Sequence, residues 1–201
     1  MENFYNLRAE KQQHIINAAL NVFARNGYKK TSTADIAEEA GIAKGMVFYY
    51  FGSKKNLYLY LVELCGNDLL EEIKAHFDEN VTDFFDKLKM MTDIKIAVIK
   101  RHSAAISFFT SMYQETDKEV KGEIDEFIAG GAEIRAGLIF SGTDLSKFKD
   151  DVDPELLTKF LTWAGEGFAN NMPVHDPAGK IDEFVAEFYK CLDIMKKYFY
   201  K

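Results

Sequence analysis

Ser32–Phe51 reads STADIAEEAGIAKGMVFYYF, and this stretch decides the fold because it describes two short helices joined by a tight turn. Ile36, Ala37 and Ala40 fall at helical spacing. Ser32 or Thr33 is placed to cap the free backbone N–H groups, and Asp35 is favourable in the first turn. Gly41 then ends the helix: the residue just past a helix C-terminus often takes positive φ, which glycine alone adopts without steric cost. Ala37, four positions earlier, is small where two steeply crossed helices come closest, so Ile42 and Val47 can pack back onto Ile36. The second helix, about 43–50, has an inner edge of Val47 and Phe51 and an outer edge of Lys44, Gly45, Met46, Phe48, Tyr49 and Tyr50. That outer edge suits DNA: lysine donates to guanine acceptors, Met46 can touch a thymine methyl, and hydroxyls and lysines hold phosphates. A small-x-x-x-Gly turn also joins helices in proteins that never touch DNA, so the turn alone leaves both readings open.

Working outward, residues 9–26 carry one apolar stripe, Ile15, Ile16, Ala19, Leu20 and Phe23, which predicts a helix that supports the turn from behind. Gly27 stops it, and Lys29 and Lys30 follow in a loop, either near a DNA backbone or simply solvated. Residues 1–8 read as an arm or as a first helical turn. On the other side, 54–79 is a long helical pattern with Leu57, Leu61, Leu64, Leu69, Ile73 and Phe77 near one side. Gly66 in its middle marks a bend or a close helix–helix contact.

The segment Ala9–Leu69 resembles the N-terminal domain of the TetR/AcrR family of bacterial transcriptional regulators. The resemblance rests on the aliphatic first helix ending in Phe23 and Gly27-Tyr28, the Thr-rich cap, Ile36-Ala37 through Gly41-Ile42, Lys44-Gly45, and Tyr49-Tyr50-Phe51 followed by Lys54 and Leu57. It implies that Thr33, Tyr49 and Lys54 contact phosphates and that Lys44, Gly45 and Met46 face the bases. Two positions depart from the family pattern, Phe48 where Tyr is frequent and Tyr50 where His is frequent, which puts a phosphate-bonding hydroxyl at 48 and the contact at 50 in doubt. Lys55 stands where an acidic residue is common, either as another phosphate contact or as a solvated charge. The division expected is a helix-turn-helix DNA-binding domain over 9–69, with its motif at 32–51, and a helical ligand-binding and dimerisation domain over 70–201.

The charge distribution agrees with that division. The net charge is −7, yet residues 1–57 hold eight Lys/Arg against five Asp/Glu, while the rest holds 17 against 27. A basic head on an acidic body lets the head approach phosphates while the body is repelled from them. At 47% hydrophobic and 28% charged, with three prolines, the chain reads as ordered and globular rather than disordered. No apolar run approaches the roughly 20 residues of a membrane span, and MENFYNLRAEKQ lacks the apolar core of a signal peptide, so a cytoplasmic protein without a membrane partner is expected. Cys65 and Cys191 have neither metal-ligand nor disulfide-framework spacing, and no cofactor or metal is expected. No metalloprotease His-Glu pattern, nucleophile elbow or phosphate loop is present, which argues against an enzyme. Gly165-Glu166-Gly167 faintly suggests a nucleotide turn but lies in a helical pattern.

Beyond Asn80 all apolar segments have helical periodicity, giving an all-α fold with helices near 82–100, 101–115, 117–140, 154–171 and 180–200. Pro154 suits a first helical turn, whereas Met172-Pro173 and Pro177-Ala178-Gly179 read as a loop. The last two helices are apolar over a wide arc, from Leu156, Phe160 and Trp163 to Phe188, Leu192 and Ile194. A second copy could cover part of it through a two-fold four-helix interface, which the resemblance also implies; packing on the same chain is the alternative. Met91, Phe108, Phe109, Met112, Tyr113, Phe127 and Trp163 offer an adaptable lining for a bulky apolar effector, with His102 as a polar contact, although each is individually also a core residue. The function expected is a homodimeric repressor that a small apolar effector releases from a palindromic operator of double-stranded DNA, with 54–79 as the coupling helix. A helical carrier without specific DNA binding is the alternative.

Overall fold

The computed structural model describes residues 1–101, 103–171 and 177–201, with side-chain surroundings given outside 99–103, 106 and 168–180. His102, Met172 and Pro173 lie outside the described residues, so their expected roles have no structural counterpart here. The fold is all-α, in the order α1 Glu2–Tyr5, α2 Ala9–Lys30, α3 Thr33–Glu39, α4 Met46–Phe51, α5 Lys54–His76, α6 Phe84–Arg101, α7 Ser103–Tyr113, α8 Lys121–Phe140, α9 Pro154–Asn171 and α10 Pro177–Phe199. Among the described residues no strand pairs into a sheet, and one isolated bridge joins Phe148 to Tyr200. No helix among them is long and apolar enough to cross a membrane.

The head forms around α2. Ile15, Ala19, Phe23, Ile36, Val47, Phe51, Leu57 and Leu61 are buried together, so the expected stripe does support the turn from behind. The N-terminal residues are neither arm nor frayed turn: α1 sends Phe4 into the head, fully buried, with its ring 4.8 Å from that of Phe51 and 6.0 Å from that of Tyr50. α2 continues past Gly27 to Lys30, but Gly27 itself sits at φ 69° and ψ 174°, a kink that only glycine takes without strain.

The expected division at 69/70 falls inside α5, which runs unbroken through Gly66. Gly66 marks a close contact rather than a bend, since a Cβ there would come within 2.6 Å of the Phe127 ring on α8. The head's core also continues into the body. Phe108 and Met112 of α7 and Ile124 of α8 are buried in one cluster with Phe23 and Tyr58. Across the same joint the Tyr28 N–H, exposed by the kink at Gly27, donates to the Glu115 carboxylate at 2.7 Å, and Ser111 Oγ donates to the Phe23 carbonyl at 3.3 Å.

At the far end Phe84, Phe85 and Phe148 form a second buried cluster, against which Tyr200 packs. Asp83 caps α6 by accepting from the N–H groups of Phe85 and Asp86, and it ion-pairs with Lys147 and Lys196 at 3.2 and 3.0 Å. Lys87, fully buried, donates to the carbonyls of Leu138 and Ser141 and so satisfies the end of α8. α10 starts at Pro177 rather than 180: Pro177-Ala178-Gly179 belongs to its first turn, where a proline costs no hydrogen bond.

Candidate nucleic-acid interface and the body interior

The turn motif is fixed locally by two capping arrangements. At the start of α3, Ser32 Oγ accepts the Asp35 N–H at 3.1 Å while the Asp35 carboxylate accepts the Ser32 N–H at 2.9 Å, a capping box that also holds the Asp35 pKa below its usual value. At its end Gly41 takes φ 58°, the Ile42 N–H donates to the Ala37 carbonyl at 2.9 Å and the Gly41 N–H to Glu38 at 3.1 Å. This is a Schellman motif, and it aims the chain into the next helix. Arg25 of α2 ties the same helix down through a 2.7 Å ion pair with Glu39.

α4 begins at Met46, so Lys44 and Gly45 lie in the turn leading into it instead of on the helix proper. Both are exposed, as are Phe48 and Tyr49, which leave 54% and 59% of their surface free. Val47 and Phe51 face inward as expected. Tyr50 does not belong to the outer edge: it is 3% exposed, its ring held between Phe4 and Phe51, because α1 covers that side of α4. Met46 is half-buried against the head core, and Thr33 half-buried at the first position of α3.

Lys54 is engaged within the protein. Its ammonium donates to the Tyr28 carbonyl at 2.9 Å and the Thr31 carbonyl at 3.1 Å and lies 4.1 Å from the centre of the Tyr28 ring. Two of its three donors therefore bind α5 to the end of α2. Lys55 pairs with Glu123 of α8 at 2.6 Å, a second tie between head and body. Lys29 and Lys30 are exposed at the end of α2, on the head's basic side.

The residues expected to line an effector site divide. Met91 is buried in the body with Ile73 and Ile94. Phe108 and Met112 are buried in the joint instead, Phe108 lying 5.2 Å ring to ring from Tyr58, and Phe109, Tyr113 and Phe127 pack half-buried against that joint. Trp163 lines no interior: it is 62% exposed on α9. It shares an outward stripe at helical spacing with Leu156 and Phe160, and α10 exposes Ile194 and Tyr198, whereas Leu157, Leu161 and Leu192 face inward. Individual apolar residues at a helix surface are ordinary, but among the described residues five large ones are exposed on the last two helices.

The interior also contains polar groups that the sequence reading passed over. Lys95 lies on the inward stripe of α6 with Met91 and Val98, and Arg135 on that of α8 with Ile128 and Leu138. The Arg135 guanidinium donates to Thr162 Oγ1 of α9 at 3.2 Å. Burial, with the positive Arg135 beside it, pulls the Lys95 pKa from 10.5 down to about 8. Burial also raises the Tyr113 hydroxyl, with Arg135 opposing that rise and Glu166 adding to it. The signal was present in the sequence: charged residues at positions whose helical neighbours are apolar.

Residues 15–61, which span the capped turn and the helices behind it, match the family described as bacterial regulatory proteins, tetR family. Over that segment the chain is similar to the DNA-binding region of TetR family regulators. The chain is 26% identical over 152 residues to the fatty acid metabolism regulator protein of Bacillus subtilis, covering 75% of this chain and 77% of that one. Among solved structures, a TetR family regulator from Chloroflexus aurantiacus superposes with a TM-score of 0.75 at 22% identity, over 100% and 98% of the two chains. The regulator FadR from Bacillus subtilis, solved in complex with stearoyl-CoA, superposes at 0.67 and 18% identity over 90% of this chain and 96% of that chain. The relatives that the chain matches are named as transcriptional regulators, and the solved structures share its fold.

Proposed function

We propose that this protein is a homodimeric repressor of the TetR family, released from a roughly palindromic operator by an effector with a long apolar chain. The observation that carries the reading is the orientation of α4: Val47, Tyr50 and Phe51 anchor it in the head while Lys44, Gly45, Phe48 and Tyr49 remain outside. In this reading Lys44 and Gly45 approach base edges, Met46 touches them from its half-buried position, and Tyr49 and Thr33 hold phosphates. Lys54 acts from behind by fixing the α2 corner, with one donor left over. The residues over 9–69 serve as the DNA-binding domain and 70–201 as the effector and dimer domain, with α5 shared between them.

The face of Leu156, Phe160, Trp163, Ile194 and Tyr198 supports a two-fold interface through α9 and α10. Two heads placed by such a dimer enter adjacent major grooves about 34 to 36 Å apart, and a protein occupying both excludes others from the site. With DNA as the partner, its place of action is the cytoplasm. An acyl-type effector is supported by Met91, Ile73 and Ile94 in the body and by the fatty-acid names of the relatives. Near-complete release requires about 5.5 kcal/mol of preference for the released state. The ties through Glu115, Lys55 and the Gly66–Phe127 contact are the route by which a change between α6 and α9 reaches the head.

The test is selection of bound sequences from a pool of random duplex DNA, at two salt concentrations, beside a Lys44→Ala, Tyr49→Ala double variant. A two-fold palindrome enriched by the wild type and not by the variant is the expected result. Sequence-independent binding that the double variant retains would remove the specific-reader reading.

A further inference from the structure

We infer that α1 is a clasp for the reading helix and that Phe4 is its positioning residue: the Phe4 ring fixes the roll of α4, and with it the placement of Lys44, Gly45 and Tyr49 on the duplex. This inference rests on the reading of α4 as the DNA-contacting helix and adds what holds that helix in register.

α4 is only six residues long, and its own ends do little to fix how it lies. No side chain caps its N-terminus at Gly45, and at its C-terminus the Asn56 amide donates to the Phe51 carbonyl at 3.1 Å. Orientation therefore comes from the inward side chains. Val47 and Phe51 are four residues apart, so they lie one above the other on the same edge of the helix, and both are buried in the head core. Two anchors on one line set the distance of a helix from its support and leave rotation about that line open. Tyr50 lies about 100° around the helix from Phe51, and its buried ring is the third anchor. It meets Phe4 at 6.0 Å and 63°, edge to face.

Phe4 is fully buried, and its ring also lies 4.8 Å from that of Phe51 and 5.9 Å from that of Tyr60 on α5. One side chain thus touches two of the three α4 anchors and the helix that follows. The clasp is itself pinned to α2: Gln12 Nε2 donates to the Tyr5 and Leu7 carbonyls at 3.1 and 2.8 Å, and the Tyr5 ring stands 6.5 Å from that of Tyr60. α1 precedes residues 15–61, the segment similar to TetR family regulators, so it is an addition to that segment. On a helix of about 5 to 6 Å radius, a roll of about 10° carries a side-chain tip about 1 Å, twice the roughly 0.5 Å within which a binding constellation must be held. Base contacts, which depend on register, suffer first. Attraction of the head's lysines to phosphates needs no register and survives the roll.

The experiment measures fluorescence anisotropy of the wild type, Phe4→Ala, Phe4→Leu and Gln12→Ala, on the operator duplex that selection yields and on a scrambled duplex of the same length and composition, at one salt concentration. The readout is the ratio of the two affinities, because a loss of folded protein lowers both alike and leaves the ratio unchanged. Phe4→Ala is expected to lower the ratio about tenfold or more, the size of one lost base contact. Gln12→Ala removes the pin and no core ring, and is expected to lower it about threefold. Phe4→Leu refills most of the site and should keep the ratio within about twofold of the wild type. A wild-type ratio in both Phe4→Ala and Gln12→Ala would overturn the clasp while leaving the DNA reader in place. Selection that enriches no operator for the wild type would overturn both.

Discussion

The head and the body differ in where they leave their large apolar groups. In the head the large apolar side chains are mostly inside and side chains fix the helix ends: Ser32 and Asp35 cap each other, Lys54 fills two carbonyls, and Glu115 takes the N–H freed by the kink at Gly27, although the Tyr28 and Tyr58 hydroxyls are buried without a partner. In the body Leu156, Phe160, Trp163, Ile194 and Tyr198 face outward. Side chains that fix the helix ends favour one rigid geometry, which a reader of base edges needs. Large apolar side chains left outside are what a region has when its partner is another molecule.

The contrast breaks most visibly at the outward face. Phe160→Glu combined with Trp163→Glu places four carboxylates in a two-fold interface, and the expected loss is above about 5 kcal/mol of dimer stability. Sedimentation should give the monomer mass, with the melting temperature of each chain little changed; a persistent dimer would place the interface elsewhere. In the head, truncating a single sealed ring acts on folding instead. Phe4→Ala is expected to cost about 3 to 5 kcal/mol in denaturant unfolding, as for other fully buried Phe side chains, although it sits four residues from the start of the chain.

Smaller effects sharpen the comparison at the joint. Gly66→Ala presses a methyl against Phe127 and is expected to cost about 1 to 3 kcal/mol. It should change the effector concentration needed for release more than operator affinity without effector, and equal changes in both would remove α5 from the coupling route. The mildest prediction concerns pH. The Lys95 ammonium neutralises near pH 8 in the folded chain and near 10.5 when unfolded, so between these values the unfolded state holds more protons and stability rises with pH. Burial is the larger cause of that shift and the positive Arg135 the smaller. Denaturant unfolding between about pH 8 and 10 should show that rise, a slope expected to be absent in Lys95→Met.

The turn motif was legible because each of its features is local. Ser32, Asp35, Ala37 and Gly41 lie within ten residues, and caps and glycine turns are set by neighbours in the chain. The same holds for the helix starts at Lys54 and Pro154. What sequence reasoning placed wrongly depends on contacts distant in the chain. Tyr50 looks outward on a helical wheel until Phe4 covers it, and Lys54 looks like a free cation until the end of α2 presents two carbonyls. Phe108 and Trp163 belong to one list of aromatics by composition, yet one closes the joint and the other lies on the surface. Lys95 and Arg135 were legible in principle, since helical periodicity alone puts each among apolar neighbours, but a count of aromatics and methionines does not look for charge.

Closure of the outward side chains by a second copy can be measured with no variant at all, because Trp163 is the chain's one tryptophan and is exposed on α9. Its fluorescence should be blue-shifted and poorly quenched by acrylamide at micromolar protein, turning red-shifted and quenchable as dilution releases monomers. Emission from a fully quenchable, water-exposed indole at every concentration, with the mass of a dimer, would contradict the account by placing the two-fold interface away from α9 and α10.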